Sequence, residues 1–118
     1  MSSHSEGGQV VRLLLIAMSM VAITANEAHA LSYSTYVASR EDELGKVVLR
    51  SIGSGIEWAN VQAGVTLGKQ LYCPPENVVL NESNYDQIMT DFVHDNTDYG
   101  DGEVELALLH ALMETFPC

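Results

Sequence analysis

Ten carboxylates and no lysine or arginine lie between Cys73 and Cys118, the last 46 residues of the chain. Five of these acids, Asp95, Asp98, Asp101, Glu103 and Glu105, fall within eleven residues. Oxygen ligands crowded in this way could hold a hard cation. A calcium loop of the EF-hand type needs oxygens at positions 1, 3 and 5, glycine at 6 and glutamate at 12. Counting from Asp95 places Tyr99 at position 5 and Leu106 at 12, while counting from Thr97 puts Gly102 at 6 but Leu108 at 12. Neither register supplies the ligands, so no metal is expected. Two readings remain: solvated acids capping helices, and an acidic loop that meets a protein partner. The second makes Asp95, Asp98, Asp101 and Glu103 the candidate partner-binding residues.

His94 and His110 are the other groups able to move a proton or bind a metal. Neither has a companion histidine four residues on, and the two fall on different helical segments. His94, beside Asp95 at a helix end, suits the helix dipole. His110 reads as a helix-surface or partly buried residue. No serine sits in a nucleophile-elbow context, and catalytic residues, cofactors and metals are all expected to be absent. The chain reads as a binding protein rather than an enzyme.

The two cysteines, Cys73 and the terminal Cys118, are the only ones in the chain. A cysteine as last residue is useful when tied to something, and the economical pairing is an intrachain disulfide. Oxidation requires an oxidising compartment. Residues 1–30 supply the reason to expect one. Arg12 precedes the apolar run Leu13 to Ile23, and Ala28-His29-Ala30 reads as a cleavage site. This is a secretory signal pattern, with cleavage expected before Leu31. The run is too short to span a bilayer, which takes roughly 20 apolar residues, so no stable membrane insertion is expected after cleavage. No cysteine follows the run to carry a lipid.

Residues 31–118 then form one small domain with fourteen acids against Arg40, Lys46, Arg50 and Lys69, a net charge of −10. Nucleic acid and anionic lipid surfaces call for the opposite sign. A cationic protein partner, or simple solubility, fits it. Closing the loop between the cysteines would stabilise so small a domain by roughly 4 kcal/mol in the chain-entropy model.

The elements that position these residues read as helices. After a short Ser/Tyr-rich start, Leu44, Val47, Val48, Ser51 and Ile52 repeat at helical spacing behind Glu41, Asp42 and Glu43. Gly53 and Gly55 are expected to interrupt or tighten this helix and to mark a close approach of another helix backbone. Trp58, Val61, Val65 and Leu67 are expected to continue the apolar face toward Tyr72, and Pro74-Pro75 ends the segment. Tyr85, Ile88, Met89, Phe92 and Val93 give the clearest amphipathic helix, capped by Asn81 or Ser83. Asp95 to Gly102 is turn-rich. Val104, Ala107, Leu108, Ala111, Leu112 and Phe116 form a last stripe, which Pro117 ends. Every strong period is 3.6 residues, so the expected fold is an all-α bundle of three to four helices closed by one disulfide.

Four segments together resemble a known family. Gly53-x-Gly55-x-x-Trp58-Ala59-Asn60, Leu71-Tyr72-Cys73-Pro74-Pro75, Ala107-Leu108-Leu109-x-Ala111-Leu112 and Phe116-Pro117-Cys118 resemble, in order and spacing, the Rap/Tai immunity proteins. The likeness covers roughly residues 44–118. It implies a periplasmic helical protein, closed by Cys73 and Cys118, that binds and inhibits a type VI-secreted peptidoglycan amidase. Many relatives carry a further cysteine in the glycine-containing helix, and this chain has none there. The family's tendency to dimerise implies a homodimer as a second partner, for which the Gly53/Gly55 face could serve; internal helix packing explains that face equally well. An alternative of another class is a periplasmic acid-stress chaperone, whose carboxylates would neutralise below about pH 4.

Overall fold

The computed structural model describes residues 31–118; the expected signal segment, residues 1–30, lies outside them. The described chain is all-helical, with four α-helices and no strand among the described residues: α1 Tyr33–Ser39, α2 Glu43–Leu67, α3 Glu82–Asp95 and α4 Val104–Thr115. A 3-10 turn, Thr97–Asp101, joins α3 to α4. Cys73 and Cys118 are bonded, with their Cα atoms 4.9 Å apart.

The core is built where the one-sided stripes meet. Tyr85, Met89 and Val93 of α3 and Val104, Ala107, Leu108 and Leu112 of α4 are buried together with Tyr36, Leu49 and Tyr72. The α3 and α4 helices pack most extensively against each other. Asn81 starts α3 with a reciprocal cap: its Oδ1 accepts from the Asn84 amide at 3.0 Å, and Asn84 Oδ1 accepts from the Asn81 amide at 3.1 Å. Two otherwise unpaired amides are thereby satisfied.

The first long helix departs from the sequence expectation in two ways. It runs unbroken for 25 residues through Gly53 and Gly55. Its inward face is also the opposite of the one its apolar residues suggest. Gly45, Leu49, Gly53 and Asn60 are buried, and Ile52 and Ile56 pack beside the core. Leu44, Val47, Trp58, Val61, Val65 and Leu67 instead face outward. The reason lies at Gly53. A Cβ there would sit 2.2 to 2.6 Å from ring atoms of Tyr85, so the missing side chain is what admits the Tyr85 ring. Gly53 therefore receives an aromatic ring rather than a second helix backbone, and Gly55 faces open space.

The α2 helix ends at Gly68, whose φ of 71° is the left-handed conformation that glycine adopts without steric cost. The following segment is fixed by Asn60, which is only 3% exposed. Its Nδ2 donates to the Tyr72 carbonyl at 2.8 Å, and its Oδ1 accepts from the amides of Leu71 at 2.7 Å and Tyr72 at 3.2 Å. Tyr72 is fully buried in consequence. Cys73 is delivered to the end of the chain, where its amide donates to the Phe116 carbonyl at 2.8 Å. The disulfide thus closes a junction that the backbone already makes.

Candidate protein-binding site

The candidate acids sit on the short connection between α3 and α4. Asp95 ends α3, Asp98 and Asp101 lie on the 3-10 turn, and Glu103 is the N-cap of α4. All four are exposed. Glu105, in the first turn of α4, is partly buried and keeps one carboxylate oxygen out of solvent. Among the described residues no three His, Cys, Asp or Glu side chains converge closely enough to hold a metal ion.

The turn is fixed from beneath by groups of which sequence periodicity singles out only Phe92. The Tyr99 ring meets Phe92 edge-on at 4.8 Å between centroids, and the Tyr99 hydroxyl is hydrogen-bonded to Nδ1 of His110. His110 is therefore a half-buried partner of the loop, eleven residues along the chain from Tyr99. The Asn96 amide donates to the carbonyls of Phe92 and Val93, and its side-chain Nδ2 donates to the same Phe92 carbonyl at 2.9 Å. The Gly102 amide donates back to the Tyr99 carbonyl at 3.0 Å.

The start of the described chain clamps the loop's other end. The Tyr33 amide donates to the Gly102 carbonyl at 2.8 Å, and the Val104 amide donates to the Leu31 carbonyl at 2.9 Å. Ser32 and Glu103 form a β-bridge there. The first amide of α4, which a helix leaves without an internal partner, is thus satisfied by residue 31. The acids project from a turn held at both ends and at its centre, so presenting them to a partner costs little further ordering.

The other candidate residues fall elsewhere. His94 is exposed in the last turn of α3, its Nδ1 3.3 Å from Asp95 Oδ1. Gly53, Asn60 and Tyr72 belong to the core of the α2 junction. Pro74 is partly buried, and Pro117 is exposed beside the disulfide. Trp58 and Gly55 lie on the outer side of α2.

Not every acid is free for a partner. Asp86 of α3 turns inward. It accepts from the Tyr36 hydroxyl and lies 3.5 Å from Arg40 Nε, while Arg40 sits over the Tyr36 ring. Glu82 receives a two-pronged contact from Arg50, with Nη2 to Oε1 at 2.8 Å and Nε to Oε2 at 3.2 Å. The Arg50 bond holds the Glu82 carboxyl down at about 2. Glu57 accepts from the Tyr85 hydroxyl. Two of the four cations, Arg40 and Arg50, and the core tyrosines Tyr36 and Tyr85 provide these pairings, whereas Asp98, Asp101 and Glu103 have no ion-pair partner among the described residues and Asp95 has only the exposed His94 beside it. Their negative field is therefore not neutralised locally.

No protein-family model, no characterised protein and no solved structure matches this chain.

Proposed function

We propose that this chain is a periplasmic immunity protein that binds and inhibits a secreted peptidoglycan amidase, with the turn between α3 and α4 as the contact. One observation carries the reading. Asp98, Asp101 and Glu103, which lack ion-pair partners among the described residues, form with Asp95 an exposed acidic edge on a backbone pinned by Tyr99, His110, Asn96 and the Leu31–Tyr33 segment. An enzyme that works on an anionic cell-wall polymer can carry a basic cleft. A rigid acidic edge is steered toward such a cleft and can occlude it. The resemblance of the Gly53–Asn60, Leu71–Pro75 and Phe116–Cys118 segments to the Rap/Tai proteins points the same way.

Replacing Asp98, Asp101 and Glu103 together by lysine tests the assignment. Affinity for the amidase is expected to fall at least about 100-fold, and the wild-type affinity to weaken as salt screens the contact. The melting temperature should hold within a few degrees, because all three side chains are exposed. Undiminished affinity in the triple variant would remove the turn from the interface.

The outward Leu44, Trp58 and Val65 side chains favour a second reading, an acid-stress chaperone that holds clients on an apolar surface. Suppression of client aggregation at pH 2–3 but not at pH 7 would select it over the inhibitor.

A further inference from the structure

The segment that leaves α2 folds back along the helix and encloses a cleft with it. Asn60 bonds the Leu71–Tyr72 backbone to α2. Glu57, one helical turn before Asn60, lies on the same side of the helix. Pro74-Pro75 bars a helix beyond that point, and the Val78 amide turns back to donate to the Pro75 carbonyl at 3.1 Å. The cleft between this turn and α2 has a volume of about 260 Å³. Glu57, Tyr72 and Glu76 are in its lining, and Val61, Val78 and Leu80 give it an apolar wall. No Lys, Arg or His is among its lining residues.

The polar groups of the cleft are incompletely used by the fold. Tyr72 is fully buried, yet its hydroxyl has no hydrogen-bond partner among the described residues. Buried polar groups are almost always bonded, so an orphan of this kind calls for a reason. Burial first, and then the charge of Glu57, push Tyr72 up to about 12, so a neutral phenol stands near that carboxylate. Glu57 is partly buried and accepts from the Tyr85 hydroxyl at Oε1, which leaves Oε2. Glu76 is exposed at the rim. Two carboxylates, an unsatisfied oxygen and an apolar wall thus meet in one place.

We propose that this cleft takes an arginine side chain presented by a protein partner, its guanidinium donating to Glu57 Oε2 and the Tyr72 oxygen and its stem lying on Val61, Val78 and Leu80. Three features select that occupant. The volume suits one long side chain, since sites for drug-sized ligands begin at about 300 Å³. The charge calls for a cation, and the acidic domain around the cleft draws one in. Arginine fits better than lysine because its planar fork reaches two acceptors at once and is less strongly hydrated than an ammonium. The cleft shares no lining residue with the α3–α4 turn, so the proposal stands whether or not the turn meets an amidase.

Titration of isotope-labelled, disulfide-intact residues 31–118 with N-acetyl-arginine amide, followed by NMR, tests it without an effector. Half-saturation is expected at about 1–10 mM, with the largest amide shifts at Glu57, Val61, Tyr72 and Val78. The uncharged citrulline analogue should bind at least about tenfold more weakly, and the lysine analogue should also bind more weakly. Glu57→Gln keeps an oxygen for the Tyr85 hydroxyl and should weaken binding at least about tenfold. Tyr72→Phe should weaken it about threefold or more while the melting temperature holds or rises, because the lost hydroxyl has no partner to abandon. A melting temperature lowered by several degrees in Tyr72→Phe would assign that hydroxyl to the fold and overturn the proposal. Lack of saturation by about 50 mM, equal binding of the citrulline analogue, or shifts confined to the Asp98–Glu103 turn would overturn it too. Free arginine binding at least about tenfold more tightly than the blocked form would make the cleft an amino-acid site and overturn the protein-borne occupant.

Discussion

Asn60 and Gly53 show how single side chains decide the path of this chain. Asn60 satisfies two amides and one carbonyl of the Leu71–Tyr72 segment. Asn60→Ala leaves those groups buried without partners, a loss expected to be about 3 kcal/mol in urea unfolding. The two glycines of α2 should respond with opposite signs. Gly53→Ala drives a methyl into the Tyr85 ring and should destabilise by about 1–3 kcal/mol. Gly55→Ala meets nothing within 4 Å and should stabilise by up to about 1 kcal/mol through better helix propensity. Thermal melts of the two variants, run side by side at equal concentration, check both. Equal losses would mean that the Tyr85 ring does not rest on Gly53.

At the scale of elements, tyrosine hydroxyls and carboxylates hold neighbours together. Tyr36 of α1 donates to Asp86 of α3, and Tyr85 of α3 donates to Glu57 of α2. Burial first, and then these bonds to carboxylates, raise the pKa of both tyrosines far above 10. Burial pushes Tyr72 up to about 12. The phenolate form is thus favoured in the unfolded chain. Stability is full below pH 10 and falls as the unfolded state releases protons that the folded state keeps. Tyrosinate absorbance should therefore rise in step with loss of helical circular dichroism between about pH 10 and 12. Smooth titration of all five tyrosines with helices intact would contradict the burial assigned to these three. The α3 and α4 helices were legible in the sequence because each has one apolar stripe and a polar remainder. The helical course of α2 was legible too, but its continuity through Gly53 and Gly55 and its inward face were not, because both of its sides carry apolar residues. Its true core face is marked by glycines and Asn60, which hydropathy does not rank as interior. The acids of the turn were equally legible. What pins them was not, since the Tyr99–His110 contact joins residues eleven apart on different elements, and only an aromatic residue isolated among acids hinted at it.

At the scale of the whole molecule, the two sides differ in chemistry. The α3–α4 turn presents exposed acids, and the outer side of α2 presents apolar residues flanked by cations. The bonded cysteines fix the chain end to the segment leaving α2. No described helix is long and apolar enough to cross a membrane. In our proposal the turn is the contact for the amidase, so the α2 variant Trp58→Glu should leave inhibition in place. The most direct measurement is the release of soluble fragments from purified peptidoglycan by a type VI amidase captured from periplasmic extract, titrated with disulfide-intact residues 31–118. The inhibitor reading predicts that release stops near one equivalent and that the Asp98, Asp101 and Glu103 lysine variant fails to stop it. Release that continues at a large excess of the wild-type chain, or equal inhibition by the variant, would contradict the account.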